Sequence, residues 1–124
     1  MIYLASPYTH EDQRIQLQRY VDVLEAKCRL LNMGINVYSP IACWHVAAEM
    51  NDLAPGYKTF QKHDEEMILL CERFNILCLP GWSESVGIAE EMKFAILHGK
   101  LIEYLYIGDL RHGCYNPQLS TTSV

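Results

Sequence analysis

Between Leu79 and Met92 the chain reads LPGWSESVGIAEEM, and this stretch holds the densest set of groups with chemical potential. An apolar run stops at Pro80-Gly81, two serine hydroxyls follow, and a helical pattern begins. A strand, a Gly- and Ser-containing turn and a helix start leave backbone amides and hydroxyls able to converge on an anion such as phosphate. Ser83 or Ser85 has a second use open to it, as the cap of that helix. Along the helix, Ile88, Met92, Ala95, Ile96 and Gly99 form the inward stripe. At about 100° per residue, Glu91 lies on the flank of the stripe and Glu90 points nearly opposite. Glu91 is therefore a candidate nucleophile or base beside an anion-binding end, or else a half-exposed carboxylate that favours the helix dipole.

Asp64 falls on the apolar face of another helical segment, between Phe60 and Met67/Ile68. A carboxylate there needs a partner or a task, unless it sits half-solvated at the end of the first turn. Tyr3 lies in the opening apolar run, within reach of the same region, or simply packs and makes one hydrogen bond. His45, His63 and five scattered cysteines match no zinc spacing, so no metal and no cofactor are expected. The chain contains no GxGxxG, P-loop or GxSxG motif, which removes dinucleotide oxidoreductases, P-loop kinases and α/β-hydrolases.

The elements that must position these groups alternate. Ile2 to Ala5 reads as a buried strand, and His10 to Met33 as a helix with Leu17, Val21, Leu24, Cys28 and Leu31 on one stripe, ended by Gly34. Ile35 to Ser39 is a second strand, followed by a short helix around WHVAAEM and a loop from Asn51 to Tyr57. Lys58 to Glu72 is helical, Phe74 to Leu79 is the third strand, and the Glu91 helix runs to His98. Leu101 to Ile107 is a last strand. The pattern predicts an α/β fold, a small doubly wound parallel sheet of four to five strands, flavodoxin-like, with helices on both faces. Ligands of such sheets bind beyond the carboxyl ends of the strands.

With 124 residues the chain suits one domain, over residues 1–110, with a polar C-terminal tail over 111–124. A net charge of −5 argues against long nucleic acid, and no apolar run approaches the roughly 20 residues of a membrane span. Unpaired, scattered cysteines and the absence of a signal-peptide pattern at the start suit a cytoplasmic protein. Phe94 and Leu97, on the far side of the Glu91 helix, point to cover by another subunit in a homodimer or higher homo-oligomer.

IYLASPY at the start, VYSPI after the first helix, Asp64 upstream of MILLC, and LPGWSESVGIAEEMKFAILHGKLIEYL together resemble the nucleoside 2-deoxyribosyltransferase superfamily. Within it, the chain is similar to the small phage and bacterial proteins of the DUF1937 and DUF4406 type, over about residues 2 to 105. The resemblance implies that Glu91, four residues after Gly87, is the nucleophile, that Tyr3 hydrogen-bonds it, and that Asp64 handles the proton of the leaving base. Ser85 stands where relatives acting on 2′-deoxynucleoside 5′-monophosphates carry a phosphate-binding serine. Ser6, Gly87 and Arg14 would complete the phosphate site. Of a histidine-rich SPI-x-H-x-H stretch the chain keeps only the second histidine, His45, as a substrate contact. The implied activity is hydrolysis of the N-glycosidic bond of a deoxynucleoside monophosphate, with a deoxynucleotide or nucleoside as small-molecule partner. Base exchange between nucleosides and non-catalytic nucleotide binding are the alternatives.

Overall fold

The computed structural model describes residues 1–50, 56–115 and 121–122. The elements are β1 (Ile2–Ala5), α1 (Gln13–Asn32), β2 (Val37–Tyr38), α2 (Pro40–Ala48), α3 (Tyr57–Leu70), β3 (Arg73–Leu77), a 3₁₀ turn (Trp82–Glu84), α4 (Val86–Leu97), β4 (Leu101–Leu105), α5 (Ile107–Arg111) and β5 (Thr121–Thr122). The strands lie in the order β2-β1-β3-β4-β5. The first four are parallel, and β5 pairs antiparallel with β4 through Ile102 and Glu103. The α/β fold expected from the sequence is present, with a short antiparallel strand at one edge. That strand falls within the polar tail set at 111–124, and α5 spans residue 110.

Two cores flank the sheet, as the alternation of a strand's side chains requires. One joins Ile2, Leu4, Leu77 and Leu105 to Val23, Ala26 and Leu30 of α1 and Leu110 of α5. The other joins Tyr3, Phe74, Ile76 and Ile102 to Ile68 and Cys71 at the end of α3, and to Ile88 and Ala95 of α4. Glu91 and Asp64 therefore approach from the second face, and α1 covers the first.

α1 corrects the sequence reading. Its buried residues are Val23, Ala26 and Leu30, whereas Leu17, Val21 and Leu31 of the expected stripe are 53, 47 and 46% exposed. The helix carries apolar side chains on two sides, and the smaller set faces the sheet, where a closely approaching strand layer favours it.

Local chemistry sets the element ends. Ser39 is the cap of α2, its hydroxyl accepting from Ala42 N at 3.1 Å, with Pro40 in the first turn. This use of Ser39 shortens the second strand to Val37–Tyr38. Leu79 N bonds back to Leu77 O at 2.9 Å, which turns the chain out of the sheet two residues earlier than expected. Tyr106 stands at the N-cap of α5, so β4 ends at Leu105. Residues 51–55 of the expected loop lie outside the described residues, and Tyr57 belongs to α3. Among the described residues no helix is long and apolar enough to cross a membrane.

Candidate active site

A cleft of about 1240 Å³ opens at the carboxyl edge of the sheet, between the loops after β1, β2 and β3 and the facing sides of α3 and α4. Tyr3 forms part of the floor beneath it. Its ring is fully buried, stacked on Phe74 at 5.4 Å between centroids and tilted against Tyr38 at 5.6 Å. Locked in this way, its hydroxyl donates to Glu91 Oε2. Burial, then the negative charge of Glu91, raises the Tyr3 pKa far above that of a free phenol, so Tyr3 remains a donor.

Glu91 enters one turn into α4, beside Ile88 and Ala95. Its pKa is pushed up to about 8, chiefly by burial; the Tyr3 hydrogen bond pulls it down and the charge of Asp64 pushes it up. Glu90 is exposed, as the helical angle implies, yet it also lines the cleft, which the angle alone did not show. Asp64 approaches from α3. Trp44 Nε1 donates to its Oδ1 at 3.1 Å and the Tyr38 hydroxyl donates to the same oxygen at 3.3 Å. Burial raises the Asp64 pKa, while these two donors and nearby His63 pull it back. Each carboxyl group is thus met by a tyrosine from a neighbouring strand, for Tyr3 and Tyr38 are register partners in β1 and β2.

Ser85 fills its capping role: its hydroxyl accepts from Ile88 N at 3.2 Å. It also lines the cleft with Gly87, where an added Cβ would meet nothing nearer than Ser85 Oγ at 3.9 Å, so the start of α4 is open to a ligand. Ser6 is 7% exposed, lines the cleft, and has a buried hydroxyl oxygen with no hydrogen-bond partner among the described residues. Such an orphan costs free energy until something binds it. His45 lines the cleft as well, stacked on Tyr20 at 3.9 Å with Nδ1 2.6 Å from the Tyr8 hydroxyl.

The cleft thus gathers Tyr3 with Glu91, Asp64, Ser6, Ser85, Gly87 and His45. Arg14 is not brought in; its guanidinium is solvated on α1 and pairs with Asp12 at 3.3 Å. Phe94 and Leu97, expected to lie under another subunit, line the rim of the cleft, with Leu97 80% exposed. Four contributors escaped the sequence reading: Tyr38, Trp44, Tyr8 and Arg19. Trp44 carried a readable signal, an indole in the segment after the second strand, and it packs on Phe60 at 4.4 Å. Among the described residues no three His, Cys, Asp or Glu side chains come together as a metal site would need.

Chemically, the arrangement can attack, protonate and hold. A half-buried carboxyl group with a fixed donor can add to an electrophilic carbon, and a second carboxyl group nearby can exchange a proton with a leaving group. The fold is that of a solved 2-deoxyribosyltransferase from the psychrotolerant bacterium Bacillus psychrosaccharolyticus, with a TM-score of 0.56 and 23% identity over 85% of this chain and 71% of that one. No curated protein matches the chain. The first 106 residues, which include every group gathered at the cleft, match the family described as a domain of unknown function, DUF1937, and the chain belongs to that family.

Proposed function

We propose that the chain hydrolyses the N-glycosidic bond of a 2′-deoxynucleoside 5′-monophosphate. The observation that carries this reading is the Tyr3 hydroxyl donating to the half-buried carboxyl group of Glu91, with Asp64 in the same cleft. Glu91 forms a bond to the anomeric carbon as the bond to the base nitrogen breaks, the electron pair leaves with the base, and Asp64 supplies the proton it needs. Water then gives a proton back to Asp64, adds its oxygen to the same carbon, displaces the Glu91 carboxylate, and releases deoxyribose 5-phosphate.

The protonation states have to cross over. In the free cleft, burial keeps a proton on Glu91 up to about pH 8, whereas cleavage requires Glu91 ionised and Asp64 protonated. The sugar carbon gains positive charge as the bond to the base breaks, so the Glu91 anion is stabilised in the transition state, and the ionised form is the one that reacts. The orphaned Ser6 hydroxyl and the open start of α4 at Gly87 support a phosphate on the ligand.

A second reading, base exchange, draws support from the transferase fold of the structural neighbour. It uses the same covalent intermediate, with a second base taking the place of water. Chromatography of products from deoxynucleoside monophosphates and free deoxynucleosides, each with and without an added base, separates the two. We expect free base from a monophosphate, its loss in Glu91→Ala, and little change in Glu90→Ala. Equal losses in the two variants would overturn the assignment of Glu91.

A further inference from the structure

Four of the five arginines meet a carboxylate: Arg14 pairs with Asp12, Arg29 with Glu25, Arg73 with Glu103 and Arg111 with Glu25. Arg19 does not. Reaching from the second turn of α1, it donates through Nη1 to Thr9 O at 2.9 Å and Tyr8 O at 3.4 Å, and through Nη2 to Pro80 O at 3.1 Å. Carbonyl oxygens orient a guanidinium without cancelling its charge. Of its five N–H groups, these bonds leave at least two, on a side chain that lines the cleft.

The position is specific. Thr9 lies three residues beyond the orphaned Ser6, and Pro80 five residues before the Ser85 cap of α4, so Arg19 ties together the two loops that carry both hydroxyls. Gly81 holds φ at +89° directly against it; a Cβ there would sit 2.6 Å from Arg19 Nη2. A positive charge, a buried hydroxyl without a partner among the described residues and the start of a 12-residue helix thus all line this cleft, on loops that Arg19 joins. The catalytic carboxyl groups are held separately, by Tyr3 and by Tyr38 with Trp44.

We infer that Arg19 determines selectivity for a phosphorylated ligand: its guanidinium, fixed by the two loops, takes the 5′-phosphate together with Ser6 and the amides at the start of α4. This rests on the monophosphate reading above, and names the group that distinguishes a nucleotide from a nucleoside at that site. Planar N–H forks suit phosphate oxygens, and one charge-assisted contact of this kind discriminates strongly in a partly desolvated site.

The test is equilibrium binding by calorimetry, with a deoxynucleoside 5′-monophosphate and the matching deoxynucleoside, to proteins with Arg19 intact, Arg19→Gln and Arg19→Lys, each carrying Glu91→Ala so that the ligand is not consumed. Arg19→Gln should weaken the monophosphate roughly 10- to 100-fold and the nucleoside less than about twofold. Arg19→Lys, which keeps the charge without the fork, should fall between. If Arg19→Gln fails to fold, the Lys variant alone decides, since a selective loss of monophosphate binding is still required of it. Equal losses for both ligands would make Arg19 a tie between loops and nothing more, and would overturn the inference. Unchanged affinities, or a protein with Arg19 intact that binds the nucleoside as well as the monophosphate, would do the same. Because base release is not the readout, failure of the wild type to cleave the monophosphate would sink the hydrolase proposal and leave the role of Arg19 standing.

Discussion

Replacing Glu91 with glutamine removes a titrating proton from the cleft yet keeps an oxygen to accept from Tyr3. In the folded protein the Glu91 pKa stands at about 8, against 4.5 for a free glutamate. Between those values the native state holds a proton that the unfolded chain has released, so stability is fully present below about pH 4.5 and falls as pH rises through 8. At 1.36 kcal/mol per unit, the shift corresponds to about 5 kcal/mol as an upper figure, reduced wherever water enters the cleft. Domains of this kind have some 5–15 kcal/mol in total, so the effect is large.

Urea titrations at pH 5, 7 and 9, followed by tryptophan fluorescence, would measure it. Wild type and Glu91→Gln should be closely matched at pH 5, and the variant should gain on wild type by roughly 3–5 kcal/mol at pH 9. Subtracting one protein from the other cancels the contributions of the surface groups, which do not touch Glu91. A difference that does not change with pH would refute the reasoning, because Glu91 would then titrate like an exposed glutamate.

Tyr3→Phe leaves the ring stack on Phe74 in place and removes one donor. Since the hydrogen bond from Tyr3 lowers the Glu91 pKa, the rise of kcat/KM with pH should move to higher pH, with a loss of about 10- to 1000-fold at pH 7; an unmoved profile would detach Tyr3 from the nucleophile. Ser85→Asp keeps the α4 cap, because aspartate caps as well as serine, so thermal stability should stay within about 0.5 kcal/mol. Its added charge should weaken monophosphate binding more than nucleoside binding in a competition assay, and an unchanged preference would remove Ser85 from the phosphate site.

The fold was legible because it depends on local rules. Strand and helix periods, serine caps and Pro-Gly stops lie within a few residues of what they control; the helical angle set Glu91 beside the core stripe and left Glu90 exposed, but did not show that both line the cleft. Legibility failed where a contact spans the chain. Arg19 is defined by carbonyls 10 and 61 residues away, and nothing in its neighbourhood distinguishes it from Arg14, which the structure pairs with Asp12. α1 misled for a different reason: a five-residue apolar stripe outweighs Val23, Ala26 and Leu30 by volume, yet close packing on the sheet favours the smaller face. Ser85 shows that two readings of one residue need not compete, since its oxygen caps α4 and its side chain still borders the cleft.

The tyrosines that meet the two carboxyl groups stand on strands of unequal security. Tyr3 belongs to β1, which is paired on both sides, while Tyr38 belongs to β2, a two-residue strand at the edge of the sheet. Edge segments with few ladder bonds open locally at a small fraction of the cost of global unfolding. Opening of β2 therefore withdraws a donor from Asp64 and leaves the Tyr3–Glu91 pair closed. Glu91 shares the lifetime of the whole fold, and Asp64 shares that of its margin.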